Sequence, residues 1–401
     1  MGDKARAARS ARGKFADNKA AVFGAAVIAL AAVIAVGGGL LRPDSSQHAN
    51  SQQVALAGKP PGFEVKMLAV MKNELHEPTP FWRSMFFGGK PKPYIEIPLH
   101  SYTLSGDSVT GYAYGGAEAV RGLPFAYHLT DVVYALSDAG DRPMSKQGVY
   151  TFTDVYGAVR EAERGSLTGT VEDDRIYNKR FLLGTDKFGR DMLSRLMAGT
   201  IVSLSVGLIS VLISLVLGLS LGAAAGYFGG WIDDGITWLI NVVWSVPTLL
   251  LVIAITFALG KGFVQVFVAV GLTMWVEVAR VVRGQVMGIR NLEYVEAARA
   301  LGYSSFRILS RHVVPNAIGP VLVISAANFA SAILLEAGLS FLGIGARIPM
   351  ASWGQMIKEH YPYITTSMAY LAVLPGLCIV LLVLAFMLVG NGLRDSFDTR
   401  I

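Results

Sequence analysis

The stretch Glu293 to Asn316, EYVEAARALGYSSFRILSRHVVPN, gathers residues suited to gripping another protein. Glu296, Ala297 and Ala298 lie in a helix-forming run, and Gly302 supplies a stop. Ser304 or Ser305 can cap a second helix containing Ile308, and Pro315 is expected to close it. Small alanines let a second backbone come close, while Arg299, Arg307 and Arg311 can pair with acidic or carbonyl groups. The expectation is a short helix-turn-helix knob exposed between two apolar segments. An ordinary amphipathic loop would use the same residue types.

Three other charged sites invite chemistry. Met192, Leu193 and Leu196 fall on one helical face with Arg190, Ser194 and Arg195 on the other, which is the pattern of a short helix lying at a membrane surface and able to carry a gate. Glu336 directly follows an apolar run, where a carboxylate is expensive unless it faces protein or water. It reads either as a pore or interface residue or as a group at headgroup level. Glu277 and Arg280, three apart, suit an intrahelical ion pair.

Catalytic patterns are missing. Gly89-Lys90 is followed by Pro91 and Gly260-Lys261 by Gly262, so no phosphate-cradling GxxxxGK[ST] loop occurs, and HExxH is not present. Ser108 in GDSVTG lacks the spacing of a nucleophile elbow. His76, His100 and His128 show no metal-ligand spacing, and the single cysteine, Cys378, excludes an intrachain disulfide and a Cys-based metal site. The chain is therefore expected to be no enzyme, with no catalytic, cofactor or metal residue of its own; energy must come from partners.

The elements that position these residues follow from composition. Of 401 residues 53% are hydrophobic and only 16% charged, which points to a polytopic membrane protein. The net charge of +6 does not imply nucleic acid, because the basic residues collect at the ends of apolar segments. Residues 1–19 carry Lys4, Arg6, Arg9, Arg12, Lys14 and Lys19; residues 20–41 carry no charge and as a helix would run roughly 33 Å, enough to span the hydrocarbon. A cleaved signal peptide has a shorter apolar core, so a retained anchor is expected. Further apolar runs at 200–225, 238–259, 263–282, 317–335 and 367–390 make six spans. Threading from a cytoplasmic N-terminus places Arg283, Arg290, Arg299, Arg307 and Arg311 inside together with Arg394 and Arg400, and residues 42–198 outside, as the positive-inside rule requires. The external segment reads as a small α+β domain over about 55–180. A helix is expected over Glu64 to Leu75 and strands near Tyr94 to Ile97 and Val149 to Thr153; a floppy linker is the alternative.

The knob resembles the coupling loop of ABC importer permeases: EAA, three residues, Gly302, then an Ile/Leu-rich helix ending in His312-Val-Val-Pro315-Asn316. Three further blocks resemble the dipeptide/oligopeptide/nickel branch, in its second, C-type permease. These are Leu183-Gly184-Thr185-Asp186-Lys187-Phe188-Gly189-Arg190-Asp191 with Ser194-Arg195; Leu335-Glu336-Ala337-Gly338-Leu339-Ser340-Phe341-Leu342-Gly343-Ile344-Gly345 followed by Ser352-Trp353-Gly354; and Leu393-Arg394-Asp395 with Asp398. Departures are Ile201 in place of a basic residue, Ile348-Pro349 in place of a Pro pair, and Thr399 in place of a proline. The segment between spans one and two is also much longer than the family's.

The resemblance implies an all-α polytopic fold of six transmembrane helices with the α+β insert between helices 1 and 2. In domains, it implies a basic N-terminus at 1–19, helix 1 at 20–41, the insert at 42–182 and a permease core at 183–398 holding the loop 293–316. It implies a peptide-class importer of the bacterial inner membrane with both termini cytoplasmic, working by alternating access. Partners would be a homologous second permease, two cytoplasmic ATPases that bind the ATP and Mg, an extracytoplasmic substrate-binding protein, and membrane lipid, with no nucleic acid. Glu296, Ala297, Ala298, Gly302, Ile308, His312 and Pro315 would couple to the ATPase. Gly184, Thr185, Asp186, Gly189, Arg190, Asp191, Ser194 and Arg195 would form a gate or interfacial segment, and Glu336, Ser340 and Trp353 would belong to the pore or interface. The competing functions are a permease of the same branch for nickel or another small solute, an ion-coupled secondary transporter, and a membrane-anchored external enzyme or receptor. The secondary transporter should carry mid-span ionisable residues, which spans one, two, three and six lack.

Overall fold

The structure, a computed structural model, describes residues 11–75, 80, 92–137, 144–146, 148–260, 262–346 and 349–397. Lys4, Arg6, Arg9, His76, Gly89, Lys90, Pro91, Lys261, Ile348, Asp398, Thr399 and Arg400 lie outside the described residues. The chain divides into two units, residues 36–198 and residues 1–35 with 199–401.

Helix α1 (Ala11–Asp17) ends at Asn18, whose Oδ1 accepts from the Ala21 N–H (3.1 Å) at the start of α2 (Lys19–Leu41). After α2 the chain builds the unit of residues 36–198 from β1 (Phe63–Met71), β2 (Tyr94–Ser105), β3 (Ser108–Tyr114), β4 (Arg121–His128), α3 (Leu129–Val133), β5 (Met144–Lys146), β6 (Val149–Thr153), β7 (Val159–Glu163), α4 (Arg164–Thr170) and β8 (Ile176–Phe181). The strands form two antiparallel sheets, ordered β4-β3-β2-β1-β8 and β5-β6-β7.

The expected helix over Glu64 to Leu75 is strand β1. Val65 and Met67 face a small core with Leu56 and Phe181, while Leu68 and Val70 face a larger one with Leu129, Tyr150, Phe152 and Leu167. A strand buried on both faces reads as one apolar run and loses the alternation that distinguishes strand from helix. The strands expected near Tyr94 and over Val149 to Thr153 are present, the first extending to Ser105.

The second unit is helical. It contains α5 (Met192–Phe228), α6 (Gly230–Ser245), α7 (Thr248–Ala258), α8 (Phe263–Ile289), α9 (Glu293–Ala300), α10 (Ser305–Ile308), α11 (Ile318–Leu342), α12 (Trp353–His360) and α13 (Tyr370–Phe397), where α5 begins in the first unit. Among the described residues, five helical stretches are long and apolar enough to cross a membrane: α2, α5, α8, Ser305–Leu342 and α13. The run expected as one span over 238–259 is instead two helices, α6 and α7, bent by 96°. Pro247 lacks the N–H that would continue α6, and it drives Val246 into an extended conformation (φ −95°, ψ 131°).

Helix contacts fix direction. Gly218, Gly222 and Gly226 form a one-sided stripe on α5 against Val278, Ala279 and Val286 of α8, and residue numbers climb together along the seam. Helices α5 and α8 therefore run parallel, packed closely because the stripe carries no side chains. In contrast, Gly319 meets Phe397 and Phe329 stacks on Phe386 (3.9 Å), so α11 and α13 are antiparallel. Helix α2 also opposes α13, with Ala21 against Gly392 and Asn18 near Asp395 (3.4 Å).

Candidate functional site: coupling knob and signature segments

Helix α9 closes with a Schellman turn. Gly302 adopts φ +75°, its N–H bonds to Arg299 O (3.0 Å), and the Tyr303 N–H bonds to Ala298 O (3.2 Å). The positive φ is what requires glycine here. Ser304 then caps α10, its Oγ accepting from the Arg307 N–H (3.4 Å). Val295, Ala298, Ile308 and Val313 point inward onto Val282 and Val286 of α8 and Val321 of α11. Glu296, Ala297, Gly302 and Pro315 are exposed, as are Leu301 (73%) and Phe306 (81%). His312, half-buried, stacks on Tyr303, and Arg307 lies over the same ring at 4.5 Å. Thus Ala298 and Ile308 anchor the knob, and Glu296, Ala297, Leu301 and Phe306 form its outward surface. Pro315 does not close the second helix. It sits in the first turn of a 3-10 segment, Val314–Ala317, where its missing N–H costs nothing, and the chain continues into α11.

The segment from Gly184 to Arg195 differs from a surface helix. Thr185, Asp186, Arg190, Ser194 and Arg195 are fully buried, and α5 runs unbroken from Met192, so the polar face expected at the membrane surface is an interior network. The Asp186 carboxylate accepts from Arg190 Nε (2.5 Å) and from the N–H groups of Phe188 (2.8 Å) and Arg190 (3.0 Å), with Arg195 Nε at 3.7 Å. Arg190 also donates to Asn50 Oδ1 (3.2 Å). Thr185 bonds Lys59 and Leu56; Gly189, at φ +73°, lies so close to Gln53 that a Cβ would stand 1.7 Å from its carbonyl oxygen. Ser194 Oγ donates to Asp191 and accepts from the Asp44 N–H (2.8 Å). Burial pushes the Asp191 carboxyl above its ordinary range, against the pull of the Ser194 hydrogen bonds. The segment therefore clamps residues 44–59, which follow α2, onto the start of α5. Asp44, Asn50, Gln53 and Lys59 were not legible as its partners, because their pairing spans more than 100 residues of chain. The local signal was Asp44, whose carboxylate accepts from the Ser46 (2.9 Å) and Ser51 (3.0 Å) N–H groups, as Asp does in turns.

Glu336 lies inside α11, which runs on to Leu342, and is 1% exposed. Ser340 Oγ donates to its carboxylate (2.6 Å) and accepts from the Ala346 N–H (3.2 Å). Trp353, also buried, opens α12 with its indole against Gly199 of α5, and Gly354 packs on Ala337. Glu336, Ser340, Trp353 and Gly354 are thus buried within this chain, while Phe341 and Leu342 of the same block are exposed. Arg280 lies over the ring of Trp244 at 3.4 Å, so it stacks on α6 and is not confined to its helical neighbour Glu277. His128 accepts from the Thr130 N–H (3.3 Å) as the cap of α3.

The family described as "Binding-protein-dependent transport system inner membrane component" matches residues 214–401. Oligopeptide transport system permease protein OppC of Bacillus subtilis (strain 168) is 36% identical over 236 residues, covering 59% of this chain and 77% of that one. Glutathione transport system permease protein GsiD of Pectobacterium atrosepticum is 39% identical over 219 residues, covering 55% and 72%. A solved inward-facing structure of the MetNI methionine ABC transporter is 20% identical, covers 52% of this chain and 98% of its own, and superposes with a TM-score of 0.43. On these matches the chain belongs to the inner membrane components of binding-protein-dependent transport systems, in the C-type branch of the dipeptide and oligopeptide permeases.

Proposed function

We propose that this chain forms half of the pore of an ATP-driven peptide importer, pairs with a homologous permease, and takes its energy through the knob at Glu293–Asn316 from ATPase subunits in the cytoplasm. The observation that carries the reading is the knob itself: a rigid two-helix turn, anchored on α8 and α11, that presents Leu301 and Phe306 to a partner. Support for six spans comes from α5 and α8, which run parallel. Two consecutive membrane helices can be parallel only if the chain between them returns across the membrane, so α6 and α7 count together as one broken crossing. The antiparallel pairs α11 with α13 and α2 with α13, together with the arginines gathered on one side, support a cytoplasmic reading for both termini and the knob. Residues 42–182 are outside, and a substrate-binding protein delivers cargo there.

Replacing Phe306 by Asp should leave membrane insertion intact and abolish co-purification of the ATPases with uptake. Gly302→Val should lower uptake at least tenfold through loss of the positive-φ turn. Wild-type uptake in both variants would overturn the coupling role. For the threading, a cysteine replacing Ser108 should react with an impermeant thiol reagent from outside, and one replacing Ser304 only in opened membranes. The reverse labelling would refute it.

A further inference from the structure

The end of α8 that leads into the knob is tied to α6 by an ion pair. Arg283 donates from Nε (2.5 Å) and Nη2 (2.7 Å) to the two carboxylate oxygens of Asp233, the two-pronged match of guanidinium and carboxylate. Thr237 Oγ1, one turn on, donates to the same carboxylate (3.3 Å) and holds it in place. Little else fastens α6. Among its described residues only Ile240 is buried, packed on Trp275, Val276 and Ala279 of α8, while Trp231, Trp238 and Trp244 are exposed, the last beneath Arg280.

The junction behind α6 is free to turn. Gly229 and Gly230 join α5 to α6, both at positive φ, and Gly229 (φ +71°, ψ −161°) occupies a region open essentially to glycine alone. No heavy atom lies within 4 Å of where a Gly230 Cβ would stand. The α5 side of the junction is fixed, because Arg290 Nη1 donates to Gly226 O (2.9 Å). A thinly packed helix on a two-glycine joint, pinned by an ion pair, is a rigid element that can take more than one angle.

The pin stands where a pull on the knob arrives. Val282 and Val286 of α8, on either side of Arg283 in sequence, are the residues against which Val295, Ala298 and Ile308 of the knob pack. Movement of the knob therefore carries this turn of α8 and its guanidinium. Asp233 hands that movement to α6 and, past the bend at Pro247, to α7. We propose that the Asp233–Arg283 pair is the positioning link that makes the broken crossing α6–α7 follow the knob, an inference that rests on the coupling reading above.

The test uses the complete transporter, with Cys378→Ser and cysteine-free partner subunits, spin-labelled through Trp231→Cys on α6 and Asn391→Cys on α13, both exposed positions. The label separation is measured without nucleotide and after trapping with ATP and vanadate. It should shift between the two states in the otherwise wild-type complex. Asp233→Asn and Arg283→Gln should each reduce the shift by at least half while the ATPases still co-purify. Arg283→Lys, which keeps the charge but loses the two-pronged bond, should fall between. Exchanging the pair, Asp233→Arg with Arg283→Asp, should restore the shift, and Asp234→Asn, at the exposed neighbour, should leave it whole. A pair that only holds the fold would lower the melting temperature of the neutral variants without touching the shift. A full shift in both neutral variants, no shift in the wild-type pair, or an exchanged pair no better than the single variants would overturn the proposal. If the neutral variants do not assemble, Arg283→Lys and the exchanged pair decide. Docking of the knob is read separately, by ATPase co-purification with Phe306→Asp, so the link can fail while the coupling reading stands.

Discussion

Glu96 illustrates how one residue's surroundings set a pH window. Burial alone would raise its carboxyl, but the ammonium groups of Lys179 and Lys92 outweigh burial and hold it at about 2. A folded-state value below the ordinary 4.3 means that the ionised carboxylate stabilises the fold, fully above pH 4.3 and progressively less as pH falls toward 2. Thermal unfolding of the insert should accordingly be flat from pH 7 to 5 and fall steeply below 4. Glu96→Gln should cost about 2–3 kcal/mol at pH 7 and little at pH 2.5; an equal loss at both would refute the ion-pair account. Residue-level reading of the sequence found Asp186, Arg190 and Ser194 but assigned them to a surface. Spacing reports which residues share a helical face and not what covers that face, and here the cover comes from residues 44–59. The knob was legible to the level of its caps, because Gly302 and Ser304 act on their immediate neighbours.

Between α5 and α8 the glycine stripe sets the distance. A Cβ at Gly222 would stand 2.4 Å from Ala279 O and 2.9 Å from its Cα, both backbone, so the helices would have to separate. Gly222→Leu should lower the melting temperature of the purified complex by several degrees and cut uptake. Gly235→Ala, in open space on α6, should change neither and adds helix propensity. If Gly222→Leu melts like wild type, the seam is not close-packed. Five of the expected spans appear as continuous helices because apolar length alone specifies them. Strand β1 and the bend at Pro247 escaped for one reason: an apolar run reports burial, while its backbone path is set by partners or by a single proline near its middle.

The insert begins and ends on adjacent strands, Phe63 pairing with Phe181, so its two ends lie together. Excising residues 63–181 with a short Gly-Ser bridge, while keeping the clamp of 44–59 on 184–195, should leave a folded permease that still recruits the ATPases. It should also weaken stimulation of ATP hydrolysis by the binding protein; unchanged stimulation and uptake would show that the insert serves another partner. The same strand pairing has a consequence for biosynthesis. The β1–β8 ladder and the Thr185–Lys59 and Ser194–Asp44 bonds cannot form until more than 100 further residues have been synthesised. Loop closure of that length is slow relative to local helix formation. During synthesis α2 is therefore complete while the nascent insert is still unpaired, and the start of α5 closes the clamp in one late step. Delayed synthesis of residues 176–195 should thus expose β1 to proteases, a vulnerability confined to the time before α5 emerges.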